Sequence, residues 1–149
     1  MDRAAFLEEI RRHGSDAEVD IAERVFEWAE EHALADHWNQ NPSAHGNEYT
    51  PAIKGVEWEP VPFGMSTRAA RVWITGENLV RHHPFRMEHR WGEILERLGA
   101  IRGVVIPPKG FYPHIRLTEL ADVDTFNEFF DAVDSIVSQV RRSAEKGLR

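Results

Sequence analysis

The chain has 149 residues, the usual size of one domain, and a chain of that length buries roughly 70% of its unfolded surface on folding. Hydrophobic content of 42% and charged content of 29% are ordinary for a globular protein in water, and no apolar run approaches the ~20 residues a membrane-spanning helix needs. The absence of Cys excludes a disulfide framework, a thiolate metal site and a cysteine nucleophile, and the net charge of -7 argues against a generic polyanion binder.

Residues 1–9 carry no apolar core of a signal peptide, so the expected location is the cytoplasm, with no membrane attachment. The charge is unevenly placed. Residues 1–65 hold 5 Lys and Arg against 14 Asp and Glu, residues 66–117 hold 9 against 4, and residues 118–149 hold 4 against 7. A basic middle therefore lies between acidic ends.

Phe6, Leu7 and Ile10 make a short apolar stripe at helical spacing, and Gly14 ends it. Ser15 or Asp16 is placed to cap a second helix over residues 16–33. Val19, Ala22, Val25, Phe26 and Ala29 form its apolar face, with Ile21 and Trp28 flanking, and Glu18, Glu23, Glu27, Glu30 and Glu31 its solvated one. Alternation then replaces helical spacing. Residues 37–40 read as a short strand and residues 41–47 as turn chemistry. Tyr49, Pro51 and Ile53 alternate with polar or small neighbours. Residues 56–65 read as a further strand, which sits at an edge or is irregular because Pro60 and Pro62 cannot donate ladder bonds. Ala70, Val72 and Ile74 alternate with Arg71, Trp73 and Thr75. Gly76, Glu77 and Asn78 then turn the chain, and residues 79–83 are expected to return as a strand. Consecutive short strands with tight turns predict an antiparallel meander of three or four strands.

Pro84 and Phe85 break the pattern, and Met87, Trp91, Ile94, Leu95 and Leu98 make one apolar helical face. Gly99 and Gly103 end that helix. Val104, Val105 and Ile106 form a short apolar run stopped by Pro107 and Pro108. Phe111, Pro113, Ile115 and Leu117 alternate again, with Pro113 demoting the segment to an edge strand or an extended stretch. The last helix is the clearest. Asp122 or Asp124 caps it, Phe126, Phe129, Phe130, Val133, Ile136, Val137 and Val140 share one face, and residues 143–149 fray. Helices, a run of strands, then helices predict one α+β domain over residues 1–149.

Motifs of the phosphate-loop, dinucleotide, zinc-protease and nucleophile-elbow kinds are absent. Glu57 and Glu59 share a strand face but lack the following lysine that a metal-dependent nuclease of the restriction type uses. Of the 8 His, His82, His83 and His89 fall within eight positions beside Glu88, which makes them the metal candidates for a Zn²⁺ or Ni²⁺ site. Trp91 lies on the apolar stripe and belongs to the core. Trp73 shares the strand face of Arg71, and on the expected return strand Arg81 and His83 face the same way as Leu79. Arg71, Trp73, Arg81 and His83, flanked by Arg68 and Arg86, are thus the candidate basic-aromatic surface for nucleic acid, since indoles stack on bases and guanidinium groups track phosphates. The opposing expectation is that helices cover this face and carboxylates pair its arginines. The loop of residues 39–47, with His45 and Gly46 beside Trp38, reads as a solvated connection or a ligand rim.

The chain resembles an uncharacterised prokaryotic family of small α+β domains. The residues that carry the likeness are Trp38-Asn39, Gly46-Asn47-Glu48-Tyr49-Thr50-Pro51, Pro84-Phe85 and Pro113-His114-Ile115-Arg116-Leu117. The Trp-Gly glycine and the Ser-Phe pair of that pattern are absent here. The resemblance implies an architecture over nearly the whole chain and brings no catalytic residue with it. The leading expectation is a non-enzymatic binding or accessory protein without a cofactor, touching nucleic acid through residues 68–86. The alternatives are a metal-assisted hydrolase built on His82, His83 and His89, and a protein-interaction module or homodimer that buries the Trp73 face.

Overall fold

A computed structural model describes residues 1–43 and 45–149. The chain starts with helix α1 (Arg3–His13), whose first turn is held by Asp2, its carboxylate accepting from the Ala5 N–H at 2.8 Å. Phe6 and Ile10, one turn apart, are completely buried. Ser15 opens α2 (Asp16–Glu31) with a reciprocal pair of bonds. Its hydroxyl accepts from the Glu18 N–H at 3.3 Å, and the Glu18 carboxylate accepts from the Ser15 N–H at 3.1 Å. The expected apolar face of α2 is buried, together with Ile21 and Trp28. The helix stops two residues short of its expected end, where Ala33 turns to φ 55°.

Among the described residues seven strands follow, in two antiparallel sheets. β1 (Leu34–Ala35) and β4 (Ala52–Ile53) pair with each other. The other five are β2 (Trp38–Ser43), β3 (Gly46–Tyr49), β5 (Phe63–Ser66), β6 (Arg71–Ile74) and β7 (His114–Arg116), neighbours in that order. This is the α+β meander that the strand pattern predicts, with more strands than expected. β2 runs on through residues 41–43, and Ser43 pairs with Gly46, so most of the expected loop 39–47 is hairpin. Ala44 of that loop lies outside the described residues. Pro60 and Pro62 lie in the irregular stretch before β5, as the second of the two expectations has it, and β5 itself sits between β3 and β6, away from an edge. β7 does form the edge that Pro113 requires.

The expected return strand over residues 79–83 does not form. Gly76–Leu79 is a helical turn, α3, and turns continue from there to α4 (Glu88–Gly99). The reason is topological. β6 already has β5 on one side and β7 on the other, so a strand folding straight back from it finds no edge to pair with. Gly76 also packs too closely for a side chain, since a Cβ there would lie 2.2 Å from the Phe111 carbonyl oxygen.

After β7, a 3-10 turn (Leu117–Ala121) carries Leu117 and Leu120 inward. Asp122 then caps α5 (Val123–Glu145), its carboxylate accepting from the Thr125 N–H at 3.0 Å. The helix extends to Glu145, beyond the expected start of fraying.

Register decides which side of the large sheet is which. Trp38 pairs with Tyr49, Tyr49 with Met65, Met65 with Val72 and Val72 with Ile115, so one apolar row crosses all five strands. The helices cover this row. The Phe6 ring of α1 lies 5.5 Å from Trp38, and Phe130 of α5 lies 5.6 Å from Phe63 and 5.0 Å from Trp28 of α2. Each fully buried aromatic here contributes roughly 1.5–3 kcal/mol relative to exposure.

Candidate functional site

The residues between those apolar positions project from the opposite side. Asn39 pairs with Glu48, Glu48 with Ser66, Gly64 with Trp73, Trp73 with His114, and Arg71 with Arg116. Alternation on β6 therefore delivers Arg71 and Trp73 to this outer face, half-buried, while Val72 and Ile74 are buried beneath.

A cleft of about 440 Å³ opens there. Glu48, Arg71, Trp73 and His114 come from the strands. His45 comes from the β2–β3 turn, and Pro107 and Tyr112 from the connection before β7. None of these residues is helical, so the helices leave this opening uncovered. The exposed apolar side chains of Val105, Ile106 and Tyr112 belong to that same connection.

The floor is made by an absent side chain. A Cβ on Gly64 would lie 2.3 Å from the Trp73 Cζ2, so the indole occupies the space directly over Gly64. Glycine in a strand interior usually marks such a close approach. The Arg71 Nη2 stands 3.1 Å from both ring nitrogens of His45. The Glu48 carboxylate accepts from the Asn39 amide at 3.0 Å. The Tyr112 hydroxyl donates to Glu77 at 2.7 Å, and burial followed by that carboxylate pushes the Tyr112 phenol above its ordinary range.

Among the candidates named from sequence, Arg71 and Trp73 share the cleft. Arg68 is exposed at its end, its backbone N–H donating to the His45 carbonyl at 2.8 Å. Arg71, Arg68 and Arg86 form no ion pair among the described residues. Arg81 does, with Glu77 at 3.5 Å, and reaches the cleft only through that shared carboxylate. Arg86 lies in the turns before α4. His83 lines a different cleft. With the return strand missing, Arg81, His83 and Arg86 have no common face with Trp73.

The three metal candidates separate as well. The His82 ring stacks on Trp58 with centroids 3.7 Å apart and planes 9° from parallel. Burial first, then the charges of Arg81 and Arg86, hold its imidazole below the ordinary histidine value. His83 lines its own cleft, and His89 is exposed on α4. Among the described residues no group of three or more His, Asp or Glu is arranged to hold a metal ion.

Sequence reasoning missed Glu48, Tyr112 and His114 as cleft residues. His114 alternates with the apolar Ile115, and that signal puts it on a wet face. Which wet face it shares depends on β7 pairing with β6, which lies about 40 residues earlier in the chain. Trp38, expected near a ligand rim, points the other way, into the core against Phe6, Phe26 and Tyr49. No helix among the described residues is long and apolar enough to cross a membrane. No protein-family model matches this chain, and no curated protein or solved structure does either.

Proposed function

We propose that the chain is a non-enzymatic binding protein that takes single-stranded nucleic acid on its open sheet face, one base against Trp73 and the neighbouring phosphates beside Arg71 and Arg116. The observation that carries this reading is the half-buried Trp73 next to Arg71 in a helix-free cleft of about 440 Å³. That volume suits one base-sized ring. Duplex bases are stacked on one another and cannot enter it, so single strands are favoured. Two arginines neutralise only a few phosphates, so affinity falls with salt along a shallow slope, about -0.7 for each phosphate contacted.

Fluorescence anisotropy with labelled single- and double-stranded oligonucleotides, at low and moderate salt, tests the reading. Single strands are expected to bind more tightly. Trp73→Ala is expected to weaken them roughly 5- to 150-fold, the worth of one stacked base. Arg71→Ala is expected to weaken binding and to flatten the slope of log affinity against log salt by about 0.7 for each phosphate the variant no longer neutralises. Affinities unmoved by both substitutions, or no binding at low salt, overturn the proposal. Light scattering on the protein alone separates it from a homodimer that closes over the same face.

The lining favours a second reading. His45, Glu48 and His114 surround the cleft that holds Arg71, and these are residue types that move protons in general acid–base catalysis. On an RNA strand, one of them accepts the 2′-hydroxyl proton as its oxygen attacks phosphorus. Another returns a proton to the departing 5′-oxygen, and Arg71 stabilises the charge on phosphate. The test is incubation with end-labelled RNA. Fragments ending in a 2′,3′-cyclic phosphate, lost in Glu48→Gln or His114→Gln and absent with DNA of the same sequence, support it. Intact RNA removes it.

A further inference from the structure

A second cleft, of about 370 Å³, lies where the start of α4 meets the end of α5. His83, Arg90, Gln139, Arg142, Ser143 and Lys146 supply its polar wall, and Met87 and Leu148 part of its apolar one. It shares no residue with the sheet-face cleft.

Its charge is one-sided. Among the described residues three permanent cations line it and no carboxylate does, in a chain with 25 Asp and Glu against 18 Lys and Arg. Arg90, Arg142 and Lys146 are exposed and form no ion pair among the described residues. Arg142 and Lys146 have a local reason to be there, since cations at the C-terminal end of α5 oppose its dipole favourably. Arg90 has the opposite situation. It sits in the first turn of α4, where the helix dipole disfavours a positive charge. Glu88 answers the dipole at that end, and Met87, the residue before the first turn, lines the cleft. Three cations lining one cleft without a partnering carboxylate favour one kind of occupant, an anion.

We infer that this cleft binds a small phosphate-bearing ligand, its phosphate seated between Arg90, Arg142 and Lys146. Arg90 of α4 and Arg142 of α5 line the same cleft, and guanidinium groups are the side chains best suited to a phosphate. The Ser143 hydroxyl adds a donor, and Met87 with Leu148 covers an uncharged remainder of the ligand. The site stands independently of the sheet-face reading.

The test is a titration of ¹⁵N-labelled protein with inorganic pyrophosphate at constant ionic strength, followed by amide chemical shifts. The expected result is a saturable response confined to residues 87–91 and 139–148. Arg90→Gln and Arg142→Gln are each expected to weaken it about tenfold or more, as loss of a charge-assisted bond does. Arg12→Gln, which removes the same charge from the exposed surface of α1, is expected to leave it unchanged. Non-saturating shifts, shifts scattered over the surface, or an Arg12→Gln effect as large as that of Arg142→Gln overturn the inference. A short oligothymidylate without terminal phosphates distinguishes the source of the anion. If it moves the same amides as strongly per phosphate, the assignment to a small ligand fails and the cleft is a backbone contact.

Discussion

Tyr49 is completely buried yet ends in a hydroxyl, and Asp36 solves that problem by accepting from it at 2.7 Å. Asp36 also accepts two bonds from the Arg3 guanidinium, at 2.8 and 3.0 Å. Burial pushes the Tyr49 phenol well above its ordinary range, and the Asp36 bond adds to that push. Burial also works to raise the Asp36 carboxyl, but Arg3 and Tyr49 together outweigh it and hold the group below the usual carboxylate range. Tyr49→Phe leaves the Arg3 pair intact and should cost only about 1 kcal/mol in urea denaturation. Asp36→Ala strands a buried hydroxyl and should cost more, about 1–3 kcal/mol. On the other side of the sheet, Gly64→Ala has no room beneath the Trp73 indole. It should displace the ring, shift Trp73 emission and weaken oligonucleotide binding as Trp73→Ala does. Alternation alone is enough to place Arg71 and Trp73 on a common face. The part played by Gly64 was illegible, because it depends on a cross-strand register that no local pattern encodes.

Helices were the legible elements, since their spacing and caps are local. Ser15 and Glu18 mark the start of α2 three residues apart, and both bonds of that pair form. Ser15→Ala should therefore lower stability by about 1 kcal/mol. Phe130 of α5 meets Phe63, Trp28, Phe126 and Phe129. Phe130→Ala should cost about 3–5 kcal/mol by thermal or chemical denaturation, well above the cap. Strands were harder to read. Residues 79–83 alternate well enough for a strand, yet Leu79 is completely buried at the end of a helical turn. The competitor that displaced them was β7, whose pairing with β6 joins positions about 40 residues apart. Non-local pairing of that kind decides a topology without leaving a mark in the nearby sequence.

At the scale of the whole molecule, two carboxylates make the fold sensitive to acid. The Thr67 hydroxyl donates to Glu9 at 2.9 Å, and the Asn47 amide donates to it as well. Burial works to raise the Glu9 carboxyl, but those bonds and the charges of Arg68 and His13 hold it below its ordinary value. Asp36 is depressed in the same direction. A depressed carboxyl stabilises the fold fully above its unfolded pKa and loses that contribution as pH falls through the folded one. Urea midpoints should therefore be flat near neutrality and drop below about pH 4. Glu9→Gln and Asp36→Asn should each make that drop shallower while lowering the plateau.

The helix α5 closes the structure at long range. Its Arg141 donates to the His32 carbonyl at 2.9 Å, 109 positions earlier. As the chain is synthesised, residues 1–122 emerge first, and Phe63 and Trp28 have no Phe130 to pack against. A nascent chain halted before Val123 would present those uncovered rings to chaperones, and a fragment of those residues expressed alone should aggregate rather than expose an intact cleft.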